Sequence, residues 1–237
     1  MDKVICLKWG DKYDSMYVNR LHNGLKNNCT LPFELHCFTE DSRGIDSDVV
    51  IHDLPYSDQI SSWWNKVWLF SDEVPFEKGE RVLYIDLDTL ITGNIDVILS
   101  DDTSGMVMLR DFYWGIAKTA TQSASGLMAW NIDELTHIWH EFKKDSDSAI
   151  NSVYPHGDQV FISKCLNNEV HYWQDLYPEQ VVSFKVHCNS GLPSSASVVC
   201  FHGEPSIPDA ASNHWKSWKF SGSPQSWVLD YWMQSRS

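Results

Sequence analysis

Residues 81–91 constrain this chain more than any other stretch. They read Arg81-Val82-Leu83-Tyr84-Ile85-Asp86-Leu87-Asp88-Thr89-Leu90-Ile91. A run of apolar, β-branched and aromatic residues predicts a buried strand. It ends in two acids separated by one residue. Two carboxylates directed into one small volume repel each other unless a positive charge joins them. A hard divalent cation is the natural partner, because oxygen ligands suit Mg2+, Mn2+ or Ca2+. In open α/β sheets, ligands bind beyond the carboxyl ends of the strands. The plain alternative is a solvated turn or the N-cap of a following helix. The buried strand before the acids, and the strand, turn and helix start from Thr89 to Asp96 after them, favour the metal site.

A chain of 237 residues fits one large α/β domain. The net charge of −14 argues against a nucleic-acid or acidic-membrane partner. It does not argue against a nucleotide, because one lysine and a metal hold a diphosphate locally. The six cysteines include no Cys-X-X-Cys pair, so no zinc site is expected. Cys6, Cys37 and Cys200 fall inside apparent strands, which suits reduced thiols and a reducing cytosol. No signal peptide and no membrane-length apolar run is visible, so the expectation is a cytoplasmic chain. The 12 Trp favour flat surfaces for sugar rings or bases, with most of them in the core.

The pattern predicts a strand over Val4–Trp9 and then a helix over Ser15–Leu25, with Met16, Val18 or Asn19, Leu21 and Leu25 on one face. Strands follow at Phe33–Thr39 and Val49–His52, and a helix capped by Ser61 or Ser62 runs to Phe70. Strand alternating with helix up to the acidic strand indicates a largely parallel sheet. Beyond Asp96 the expected strands are Val107–Leu109, Gly126–Trp130, Val170–Trp173, Val181–Val186 and Val198–His202. Expected helices are Asp133–Lys143 and Asp158–Leu166, and the Trp-rich tail is expected to wrap the outside.

Several segments, taken in order, resemble a known family. Trp63-Trp64-Asn65-Lys66 precedes the acidic strand, and Val82 to Asp96 carries Asp-X-Asp followed by Gly-Asn-Ile-Asp. Ser125-Gly126-Leu127-Met128, Gly157-Asp158-Gln159 and Phe201-His202-Gly203 follow. Together they resemble nucleotide-sugar glycosyltransferases of the GT-A fold, most of all the glycogenin-like group, glycosyltransferase family 8, and its bacterial and viral relatives. The resemblance covers most of residues 3–203.

It implies an α/β fold: a single GT-A (Rossmann-like) domain with a mixed, mainly parallel central sheet flanked by helices. Residues 1–100 would form the nucleotide-binding half, 101–205 the sugar and acceptor half, and 206–237 the tail. The implied reaction moves a hexose from a nucleoside diphosphate sugar to a hydroxyl acceptor with retention. UDP-hexose is the first expectation for the donor and GDP-mannose the second. The implied cofactor is Mn2+ or Mg2+ on Asp86, Asp88 and His202, a neutral imidazole being a good third ligand. The alternative for His202 is a histidine hydrogen-bonded at a strand end.

Tyr13 would stack on the base, or else be the first core residue of its helix. Lys66 would neutralise phosphate or orient the sugar; the flanking tryptophans argue against a freely solvated lysine. Asp158 and Gln159 would lie nearest the anomeric carbon, or else cap a helix that starts at His156-Gly157-Asp158. Asp111 would contact the donor sugar, or else pair with Arg110, and Gly203 would belong to the phosphate loop.

Two departures from the family pattern bear on the donor. Ala124 stands where Asn precedes Ser-Gly, and the loop after Gly203 lacks the family's Lys, unless Lys216 or Lys219 supplies it. A degenerate sugar- or nucleotide-binding module is the competing non-enzyme reading. A nucleotidyltransferase would show a Gly-rich basic loop after the first strand, and Gly10-Asp11-Lys12-Tyr13 is not one. A glycosidase pair is disfavoured, because alternate strand residues point to opposite faces unless the chain bends.

Overall fold

The first strand shows why the central sheet must be covered on both sides. In β1 (Asp2–Lys8), Val4 and Cys6 join the core on one face while Ile5 and Leu7 join the core on the other. A strand apolar on both faces needs a layer against each. The computed structural model describes residues 2–60, 62–119, 121–153, 157–167, 169–217 and 219–234. Ser61 and His156, two residues of the expected helix starts, lie outside the described residues.

From β1 the chain forms α1 (Ser15–Asn28), β2 (Phe33–Thr39), β3 (Val50–Asp53), a 3-10 helix over Ser62–Phe70, and β4 (Arg81–Ile85). It then makes β5 (Thr89–Ile91), α2 (Asp96–Leu99), β6 (Val107–Arg110), β7 (Ser123–Asn131), α3 (Thr136–Lys144) and α4 (Ser146–Ser148). Next come α5 (Asp158–Cys165), β8 (His171–Tyr172), α6 (Trp173–Leu176), β9 (Val181–Ser183), α7 (Phe184–His187) and β10 (Val198–Cys200). The tail holds α8 (Ile207–Ser212), the hairpin β11 (Trp215–Ser217) and β12 (Phe220–Gly222), and α9 (Trp227–Trp232).

The main sheet runs β3-β2-β1-β4-β7-β6-β8. Its first four strands are parallel, as are β6 and β8, while β7 is antiparallel to both β4 and β6. This is the mixed, mainly parallel α/β sheet that the sequence predicts, and it runs unbroken across both expected halves. A second sheet, β5-β10-β9, lies beside it. One face of the main sheet packs on α1, the second sheet and the tail. The other packs on the 62–70 helix, α3 and α5.

Four expectations are corrected. The run 181–186 is not one strand: it stops at Ser183, whose hydroxyl accepts from Val186 N and caps α7. Likewise 170–173 divides into β8 and α6. On α1 the inward face carries Tyr17, Val18, Leu21 and Leu25, while Met16 points outward. The tail does not merely wrap the outside, because Trp215, Val228 and Trp232 are buried in the core. The helix ahead of the acidic strand exists, but it is wound as a 3-10 helix of nine residues. With three residues per turn, Trp63 and Lys66 eclipse along one edge, and Trp64, Val67 and Phe70 along another.

Candidate functional site

The carboxyl end of β4 opens onto a cavity of 420 Å³. Asp86 and Asp88 both line it, although one residue separates them. They escape strand alternation because β4 ends at Ile85. Leu87 and Asp88 then turn the chain toward β5 in the second sheet. The bend required for two acids to share a volume is therefore present.

Asp86 is fixed on several sides. Its backbone N–H donates to Gly126 O at 2.9 Å, extending the β4–β7 ladder. Lys66 Nζ lies 2.9 Å from its Oδ1, and the Tyr84 hydroxyl donates to the same oxygen at 2.5 Å. Gly126 leaves room beside it: a Cβ there would press to 3.2 Å from Asp86 Oδ2 and 3.4 Å from Leu109 Cδ1. Lys66 is buried, which lowers its pKa, but Asp86 and Asp158 outweigh burial and hold it raised and charged.

Asp88 accepts from the Tyr13 hydroxyl at 3.0 Å and from Gly203 N at 3.3 Å, both on Oδ2. Burial and then the neighbouring Asp86 raise its pKa. The two acids thus form an under-neutralised pair, as the sequence implies. Asp158 opens α5 and is almost wholly buried. Burial raises its pKa against the pull of Lys66 and a hydrogen bond from Ser125, and its Oδ2 has no hydrogen-bond partner among the described residues. Gln159 lines the same cavity.

His202 lines the cavity in a left-handed conformation, φ 41°. Its ring stacks on Phe112, with centroids 5.4 Å apart, and its Nε2 lies 2.6 Å from Ser183 Oγ. Burial, then Lys185 and His187, push its pKa down to about 3, so the imidazole is neutral. Asp111 also lines the cavity. It accepts from Tyr113 N at 2.8 Å, and burial raises its pKa. Arg110 does not pair with it; the guanidinium bonds Asp175 and covers the Tyr172 ring.

All the site residues expected from sequence border this cavity directly or, for Tyr13, through Asp88. The ring of Tyr13 packs on Tyr17 at 4.7 Å, while its hydroxyl holds Asp88. The proposed metal ligands share the cavity but not one coordination sphere. Among the described residues, no three His, Cys, Asp or Glu side chains gather closely enough to cage a metal.

Lys185 is the residue that sequence reasoning missed. It is buried on α7, donates to the His202 carbonyl at 2.9 Å and feels the charges of Asp88 and Glu204. Burial brings its pKa down to about 8. Lys216 and Lys219, the cations considered from sequence, lie on or beside the β11–β12 hairpin and do not line the cavity.

The chain has the fold of solved glycosyltransferases. It superposes on the glycosyltransferase GlyE of Streptococcus pneumoniae TIGR4 with a TM-score of 0.67 at 12% identity, covering 99% of this chain and 62% of that one. It therefore spans less than two thirds of GlyE. The galactosyltransferase LgtC, solved with donor and acceptor sugar analogs, matches with a TM-score of 0.61 at 14% identity over 86% of this chain and 88% of that one. No protein-family model and no curated protein sequence matches the chain. At these identities the likeness establishes the fold, a GT-A-like α/β architecture, and the chemistry rests on the residues.

Proposed function

We propose that this protein is a metal-dependent glycosyltransferase that moves a hexose from a nucleoside diphosphate sugar to a hydroxyl acceptor. The observation that carries the reading is the pairing of Asp86 and Asp88 at the carboxyl end of the sheet, with Lys66 between Asp86 and Asp158. UDP-hexose is the first donor to test and GDP-mannose the second. The residues fit a divalent cation in their chemistry: two carboxylates with residual repulsion and a neutral imidazole face one cavity. Mn2+ or Mg2+ would be held first by Asp86 and Asp88, and the His202 ring, which stands apart from them across the cavity, would join only if the three side chains closed around the cation. Bound there, the cation supplies positive charge to the departing diphosphate.

The chain's own groups divide the remaining work. Tyr13 and Gly203 N orient Asp88, and Tyr84 and Lys66 orient Asp86. Lys66 is the fixed cation of the cavity wall, matched to phosphate or to charge developing on the leaving group. Gly203 would meet the phosphates, and Asp111 would hold donor hydroxyls. Asp158 and Gln159 would face the anomeric carbon, with retention of configuration. The six unpaired thiols are in keeping with a cytoplasmic setting. A binding module without turnover is the second reading, favoured by the ion pair that already occupies Asp86.

The test is a thermal-shift panel of UDP, GDP, CDP and dTDP, each with and without Mn2+. A ligand that binds the folded state raises Tm by mass action. The expected result is a shift with one diphosphate only when Mn2+ is present, which names the base. No shift with any of the four would refute the nucleotide-sugar reading.

A further inference from the structure

One tryptophan of the cavity wall is not used by the donor chemistry. Trp63 is 49 % exposed, whereas every residue after it in its helix, Trp64 through Phe70, is buried. Its indole lines the cavity. The Gly157 backbone approaches the ring closely. A Cβ on Gly157 would stand 2.4 Å from Trp63 Nε1 and 2.9 Å from Cδ1, and Gly157 has φ 81°. No side chain at position 157 fits beside the indole, so backbone borders the ring there while the rest of it is open to the cavity and solvent.

Successive contacts order the cavity. Gly203 N meets Asp88, Lys66 joins Asp86, and Asp158 lies within the field of Lys66. Asp158 directly follows Gly157, against which Trp63 rests. Trp63 therefore lies at the end away from the phosphate loop, one step beyond the residues assigned to the anomeric carbon. The winding of the 3-10 helix puts it on the same edge as Lys66. An aromatic face binds apolar C–H surface by stacking while the surrounding polar groups take hydroxyls. A pyranose ring has one such C–H face and a rim of hydroxyls. We propose that Trp63 is the stacking wall for the acceptor's pyranose ring, and hence that the acceptor is a glycoside rather than a protein or lipid hydroxyl. This rests on the transferase reading.

The experiment is saturation-transfer NMR on the whole chain. The probes are methyl α-glucopyranoside, methyl β-galactopyranoside, methyl α-mannopyranoside, cellobiose and lactose, each with UDP and Mg2+, and UDP-glucose separately. The expected result is saturation of the ring C–H protons of at least one glycoside. Trp63→Ala should weaken that binding about tenfold, and Trp63→Phe should keep most of it. The phenylalanine variant separates loss of the wall from loss of the fold. The proposal is overturned if no glycoside is saturated, if Trp63→Ala leaves the saturation unchanged, or if the loss is confined to the glucose protons of UDP-glucose. The nucleotide shift on the wild-type chain reports on the donor reading alone. Glycoside saturation without any nucleotide shift would remove the acceptor role together with the transferase.

Discussion

Lys66 and Asp88 face the same cavity, yet their removal should move stability in opposite directions. Lys66 is a buried cation shared by Asp86 and Asp158. Replacing it with Met leaves both carboxylates short of a partner, and the loss should be about 1–3 kcal/mol, below the fully buried case because Asp86 is 29% exposed. Urea unfolding of Lys66→Met, Asp86→Asn and the double variant checks this. The double variant should be more stable than the sum of the two singles implies. Asp88→Asn instead removes a charge that Asp86 and burial oppose. Its stability should equal or exceed wild type, while the Mn2+-dependent nucleotide shift and any turnover vanish. A variant with wild-type turnover would refute the metal assignment. The acids were legible in the sequence because a buried strand that ends in two like charges is costly unless a cation joins them. Lys185 was not. Its neighbours Val181, Val182, Phe184 and Val186 read as one apolar strand, and the Ser183 cap, a local bond that the apolar pattern hides, turns the run into a helix.

Among the elements, the β2–β3 edge of the sheet carries a titration unrelated to the cavity. His36 and His52 stack 5.2 Å apart, with His36 Nδ1 2.9 Å from His52 Nε2. The other nitrogen of His36 lies 3.6 Å from Glu34 Oε2, too far for a hydrogen bond. Burial, then the like charge of His52, bring the pKa of His36 down from 6.5 to about 4. The unfolded chain therefore binds more protons between those values, and stability falls as pH drops through that window. From pH 7 to pH 5 this single group should contribute a loss of about 2 kcal/mol. His36→Phe keeps a ring against Phe76 and should lose correspondingly less, as measured by urea unfolding at both values. Equal pH dependence in the two proteins would show that His36 does not titrate with folding. Element types in this first half followed from apolar period and turn residues. The 3-10 winding of residues 62–70 did not, because every residue from Trp64 to Phe70 is buried and no polar face marks a period.

At the scale of the molecule, the sheet has a core on each face, and the tail belongs to one of them. Trp232 of α9 is buried edge-on against Tyr17 of α1, with centroids 4.8 Å apart and the Arg20 guanidinium over the ring. Tyr17 in turn packs on Tyr13, whose hydroxyl holds Asp88. The last helix thus buttresses the cavity through three aromatic rings and one hydrogen bond. A tail read only by composition looks like covering, since serine, proline and glycine are interspersed among its apolar residues, and the docking partner is more than two hundred residues away. Trp232→Ala should cost about 3–5 kcal/mol, the usual range for emptying a buried indole site. The transition should stay single, because both cores share the strands of one sheet. If the tail were instead a loose cover, the variant would unfold at the wild-type denaturant midpoint. The sharper readout is local: loosening Tyr17 frees Tyr13, so at denaturant-free conditions the Mn2+-dependent nucleotide shift should shrink more in Trp232→Ala than in an equally destabilising variant on the opposite core, such as Trp139→Ala.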